Sequence, residues 1–305
     1  MENISAKIGN RFILAILLWF IVSVLVLTPI LRYVNITTGP VIVIGQLVMF
    51  LIPFIVYLIV KKENFIILLK NVTNLKSLSF KNIAFVLGMM LLLHPTILLI
   101  SFVSSLFTPN TIAEVALDIT TYGFVTGFLI IAITPSILEE LIFRGVLFHE
   151  YRNVNLHKAA LMNGLFFGII HMNLHQAISA FVLGTFFVYL IYYTKSFFSV
   201  FLAHVYFNGV QFALLYFTAS NEELFYEAMA AAAEEDISVT PIIILALLTL
   251  PLFFVLFRKF KKYNEKNKET KKEEYKEKSE EKVFTISAII SVAIFIIINI
   301  LEQMQ

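Results

Sequence analysis

Cysteine is absent from all 305 residues, which excludes disulfides, a thiolate nucleophile and any Cys-ligated metal. Charge is scarce too. Asp, Glu, Lys and Arg make up 14% of the chain, against 59% hydrophobic residues and a mean hydropathy of +0.86. Ordinary soluble domains carry roughly 25% charged residues, so this is a polytopic membrane protein, and no nucleic-acid partner is expected. The chain also lacks a His-Glu-x-x-His signature, a Ser-His-Asp pattern at usable spacing, and the internal repeat that many transporters show. The net charge of +2 conceals strong bunching of the few charges present.

What is there is a series of apolar runs. They fall at 12–31, 40–60, 82–107, 123–144, 159–172, 176–194, 197–217, 240–257 and 283–301. A run of about 20 apolar residues is long enough to span a bilayer. The first is too long for a signal-peptide core and no small-residue cleavage site follows it, so it reads as an uncleaved anchor. The expected fold is therefore an all-α polytopic membrane bundle of about nine transmembrane helices in a lipid bilayer. Its divisions are 1–122 (helices 1–3), 123–217 (a core of helices 4–7 holding the active site), 218–257 (an acidic connection and helix 8), 258–282 (a charged cytoplasmic linker, read as solvated helix or disordered chain) and 283–305 (a last helix). Within 61–81 an apolar patch at 65–69 reads as an interfacial helix or a loop. His94, beside Pro95, reads as a hydrogen bond at a kink, and His149, His157 and His175 as interfacial or loop histidines.

Lys and Arg set the orientation. They cluster at 7–11, 61–81, 144–158, 195 and 258–282, whereas 108–122, 173–176 and 218–239 contain none, and Arg32 is the exception. Under the positive-inside rule this alternation places the N-terminus in the cytoplasm of a multi-pass cell-membrane protein.

Against that apolar background, Glu139, Glu140 and Arg144 stand out inside a run that otherwise reads as a span. Each such group costs at least about 2.5–3.5 kcal/mol to insert, and marks a functional site by default. Glu140 and Arg144 are four apart and meet on one helix face. Glu139 points about 100° away and needs something else. Helices 4 and 5 form a hairpin about Asn155, and Glu139 and His171 are equidistant from it along the chain, so they come level. Helix 7 adds His204 and Asn208 on one face.

In this order, Glu139-Glu140-x-x-x-Arg144, Phe167-x-x-x-His171 and His204-x-x-x-Asn208 resemble the three motifs of the CPBP family, the CAAX proteases and bacteriocin-processing enzymes also called ABI proteins. That family includes type II CAAX prenyl endopeptidases and lysostaphin-resistance-like proteins. The resemblance implies intramembrane endopeptidase activity on a peptide or membrane-anchored protein. It implies that Glu139 and His171 activate water while His204 and Asn208 stabilise the oxyanion, a donor of that kind being worth typically about 10²–10³ in rate. Glu140, Arg144 and Phe167 would be supporting residues, with Phe167 packing beneath His171. No cofactor is expected, and a divalent metal such as zinc is the lesser alternative, Asn being a poor zinc ligand.

The leading reading places cleavage near the cytoplasmic side. The alternatives are a non-catalytic bacteriocin self-immunity or membrane sensor protein, and a transporter using the same buried groups. The topology is directly testable. A Cys introduced at Lys268 of this Cys-free chain should resist a membrane-impermeant maleimide in intact cells, and its labelling there would overturn the nine-span arrangement.

Overall fold

The structure, a computed structural model, describes residues 5–34, 36–61, 75–108, 111–221, 238–266 and 281–304. Every regular element among them is helical. They are α1 (Ala6–Val34), α2 (Thr38–Lys61), α3 (Phe80–Ser105), α4 (Thr111–Thr120), α5 (Phe124–Glu150), α6 (Leu156–Ile169), α7 (Leu174–Thr194), α8 (Phe197–Ala219), α9 (Thr240–Lys266) and α10 (Ile286–Gln303). Polar side chains stop the apolar runs from merging. Ser79, Asn155, Asn173 and Thr285 each cap the helix that follows by accepting a backbone N–H of its first turn.

Seven of these helices are long and apolar enough to cross a membrane. The other two expected spans are helical but shorter: α6 has 14 residues and α10 has 18. At 1.5 Å per residue α6 is about 21 Å long, short of a hydrocarbon core about 30 Å thick. Two further boundaries differ from the sequence reading. The stretch 108–122, which has no Lys or Arg, contains α4, and α9 runs past residue 257 to Lys266, so the charged linker begins as helix. Lys and Glu are good helix formers, and Lys261 and Glu265 pair across one turn at 3.9 Å. The patch at 65–69, the acidic stretch 222–236 and residues 267–280 of the linker lie outside the described residues.

The core sits between α5, α6, α7 and α8, with α3 packed over it and α9 against α3. The closest approach is between α6 and α7. A Cβ on Gly164 would lie 2.1 Å from Thr185 Oγ1, and one on Gly168 would lie 2.6 Å from the carbonyl oxygen of Ala177. Gly164-Leu165-Phe166-Phe167-Gly168 is thus a small-residue stripe that lets the two backbones meet. On α1, α9 and α10, large apolar side chains such as Leu25, Leu247 and Ile297 face outward, as lipid contact requires.

Polar contacts gather at one end of the bundle. The fully buried Glu150 carboxylate accepts from Ser5 N (3.1 Å), Tyr57 Oη (2.5 Å) and Lys61 Nζ (2.6 Å). Asn10 Nδ2 donates to Val283 O and Thr285 Oγ1, and the hydroxyl of Tyr151 donates to Asn10 Oδ1. Burial raises the Tyr151 phenol well above its ordinary range, so that hydroxyl stays a donor. At the same end Asn82 and Asn264 exchange amide hydrogen bonds, and Ser196 Oγ donates to Lys76 O. The described parts of the segments in which Lys and Arg cluster are therefore brought together at one end, as their alternation along the chain requires.

Candidate active site

The site is built on α5, whose backbone is irregular where it matters. Pro135 has no N–H, so the Ile131 carbonyl four residues earlier loses its helical partner. A π turn runs over Leu129–Ile133, and Asn208 Nδ2 on α8 donates to Ile131 O at 3.3 Å. A second π turn spans Leu141–Leu147, and Asn163 Nδ2 on α6 donates there to Phe143 O at 2.7 Å. Side chains from neighbouring helices thus complete the backbone pairing of α5 and fix its rotation. Short π segments of this kind recur at functional sites.

Glu140 and Arg144 form the expected pair at 2.9 Å, and both are fully buried. Arg144 Nη2 also donates to Gly184 O (3.1 Å), and the guanidinium lies 4.4 Å from the ring centroid of Phe167 and 5.0 Å from that of Phe187. Aromatic faces and a carboxylate together replace the water this cation has lost. Glu140 does one thing more, which helix spacing within α5 does not reveal. Its Oε1 lies 2.8 Å from His204 Nδ1 on α8. A carboxylate only accepts, so Nδ1 carries a proton, and Glu140 fixes both the tautomer and the aim of that ring.

Glu139 turns the other way. It has 9% exposure, no hydrogen-bond partner for Oε2 among the described residues, and His204 Nε2 at 3.9 Å. His171 sits in the turn after α6, its Nδ1 donating to Phe167 O at 2.7 Å. That bond leaves Nε2 of the neutral ring as the basic nitrogen. Phe167 packs against His171 as expected, with ring centroids 5.2 Å apart, and also against His204 at 5.7 Å. Asn208 uses one amide hydrogen on Ile131 and keeps the second.

Glu139, His171, His204 and Asn208 all line one cavity of about 410 Å³, with Phe167 and Phe187, whereas Glu140 and Arg144 stay in the packed interior behind it. Together they offer two bases, two donors and an apolar wall. Among the described residues no three His, Asp or Glu side chains gather as metal ligands.

Several residues escaped the sequence reading. His175 is not an interfacial or loop histidine: it is 5% exposed, lines the same cavity and pairs with Ser101 of α3 at 3.2 Å. His149 is buried at the end of α5, and His157 pairs with Tyr189 at 2.7 Å. His94 lacks the expected kink hydrogen bond; it packs against the rings of Tyr206 and Phe207, and neither ring nitrogen has a partner among the described residues. Asn299 of α10 accepts from Leu174 N (2.8 Å) and donates to Met172 O (3.4 Å), bracing the turn that carries His171. Met172 there holds a left-handed φ of 53°. A lone Asn in the last apolar run was the available signal.

The cavity also has a direction. From its floor at Glu139, His204 and Phe187 it extends past Ser101, Gln211 and Leu215 to Ala116 on α4. This is the end bearing the α6–α7 turn, opposite the polar knot around Glu150. It runs away from the Lys/Arg-rich end.

Residues 121–210 match the family model described as type II CAAX prenyl endopeptidase Rce1-like. The matched segment, under a third of the chain, contains all three motifs and supports the CPBP, or CAAX protease, family. No curated protein matches the chain, and no solved structure does.

The geometry separates the two glutamates by stability. Glu140→Gln removes the charge opposite a fully buried Arg144, and breaking one partner of such a pair costs about 3–5 kcal/mol. Its thermal melt in detergent should fall accordingly. Adding Arg144→Met should recover much of the loss, since no buried charge is then left unpaired.

Proposed function

We propose that this chain, with residues 121–210 similar to type II CAAX prenyl endopeptidases, is an intramembrane endopeptidase that cuts a membrane-associated peptide or protein. The observation that carries the reading is the division of labour between adjacent carboxylates. Glu139 lines the cavity, while Glu140 lies behind it with its Oε1 committed to Arg144 and His204.

In this mechanism a water held between Glu139 and His171 Nε2 gives up a proton to one of these bases as its oxygen attacks the scissile carbonyl carbon. The C=O pair moves onto oxygen, giving a tetrahedral intermediate. The free amide hydrogen of Asn208 donates to that oxyanion. His204 Nε2 donates as well when its ring is doubly protonated. Collapse of the intermediate breaks the C–N bond, and the proton taken from water passes to the departing nitrogen. Donors aimed at such an oxygen in a water-poor cavity need no reorganisation as charge develops. Phe167 and Phe187 wall the site from the side.

Two experiments test this. Glu139→Gln keeps shape and loses only the base, so it should fold and melt like the wild type while turnover falls about 10²–10⁴-fold. Peptidomics of membranes from cells carrying either form should show products that only the wild type makes. A Glu139→Gln strain with the wild-type peptide profile would favour a non-catalytic binding role. The reaction as written draws on protein groups alone, so activity should survive dialysis against strong chelators, and loss restored by stoichiometric zinc would replace this mechanism with a metal-assisted one.

A further inference from the structure

We infer that the cavity is entered from the extracytoplasmic half of the membrane, so that the polypeptide it receives is one presented on that face: a translocated peptide or the outer flank of a membrane protein. The inference rests on the hydrolytic reading for what happens to that polypeptide, and on separate observations for where it enters.

The first observation is the segregation of charge. Arg32 and the buried Arg144 apart, every described Lys and Arg belongs to the half containing Glu150, Asn82 and Asn264. The opposite half holds α4 with Asp118, the α6–α7 turn and the last turn of α10 with Glu302, and among the described residues no Lys or Arg other than Arg32. The basic end of a membrane protein stays in the cytoplasm, so the acidic end faces outward.

The second observation is the course of the cavity. On α3 its lining comes only from the last third of the helix and on α8 from His204 onward, while on α7 it runs from His175, beside the α6–α7 turn, to Phe187 at the floor and stops there. All of these point to the acidic end. At the other end the floor is closed by close packing. Arg144 is 1% exposed between Phe167 and Phe187, and beyond it Val146, Leu147, Val188 and Leu190 are fully buried. A peptide cannot reach Glu139 from the basic end without passing this plug.

The third observation is the length of α6. It ends before crossing the slab, leaving the turn with His171, Met172 and Asn173 at depth. Irregular backbone at that depth is tolerated only where protein or a cavity covers it. Asn299 and the cavity do this on the outward side of the site.

Thiol labelling tests the route without depending on activity. Gln211→Cys and Ala116→Cys, both cavity residues outside the proposed machinery, are compared with Lys158→Cys at the basic end. The reagent is a cationic, membrane-impermeant methanethiosulfonate, applied to intact cells and to inside-out vesicles. The expected result is modification of Cys at 211 and 116 in intact cells, with the residue-158 Cys modified only in inverted vesicles. Modification of both cavity positions from inverted vesicles alone overturns the inference, and using two positions guards against one variant failing to fold. The peptidomic comparison of wild type with Glu139→Gln supplies the second readout. Glu139-dependent cut sites should map to outward-facing segments, and cut sites confined to cytoplasmic tails overturn the inference whatever the labelling. Outward labelling with no Glu139-dependent product counts for the route and against the hydrolytic reading.

Discussion

A buried guanidinium in a membrane bundle must be neutralised and hydrogen-bonded, and the arrangement around Arg144 follows from that demand. Glu140 supplies the charge, Gly184 a carbonyl, and Phe167 and Phe187 two aromatic faces. Those four residues come from α5, α6 and α7, so satisfying one cation fixes three helices relative to one another. Because Glu140 also receives the Nδ1 proton of His204, α8 is tied to the same point. The stability of the bundle and the aim of the cavity-facing imidazole are therefore set by a single carboxylate. Glu139, the adjacent residue, is left free of that task.

The backbone of α5 shows how a helix is bent to this purpose. Proline and two π turns free carbonyl groups that a regular helix would pair internally, and Asn208 and Asn163 reach across from α8 and α6 to take up two of them. An unsatisfied carbonyl in hydrocarbon is costly, so these bridges are structural requirements first. For Asn208 the same bond holds the amide at the cavity wall with one hydrogen to spare. The C-terminal helix repeats the pattern through Asn299, which lies outside the segment matched by the family model yet braces the turn that carries His171.

Much of the bundle was legible in the chain because hydropathy in a bilayer is a one-dimensional signal. The apolar runs marked the helices, and the four-residue spacing of Glu140 and Arg144 marked their pair, since neighbours on one helix face are determined by pitch alone. Boundaries were less legible. The eighth apolar run ends at residue 257 and the charged segment after it read equally as helix or linker, because hydropathy does not register that Lys- and Glu-rich sequence continues a helix readily. The closeness of α6 and α7 is encoded in Gly164-x-x-x-Gly168, a pattern that hydropathy does not distinguish from the rest of an apolar run.

Composition alone dictates which groups are forced together: too few polar residues sit in too much apolar chain for any of them to be indifferent to its partner. The order of residues along the chain likewise sets which end of each span carries the cations. Who pairs with whom across helices depends on the packed bundle. Glu140 with His204, His175 with Ser101 and Asn299 with the α6–α7 turn are contacts between residues far apart in the chain, chosen by helix rotation and depth. No spacing rule within one helix contains that information. The course of the cavity is of the same kind, because a void is defined by where several helices fail to touch, and no single stretch of sequence records it.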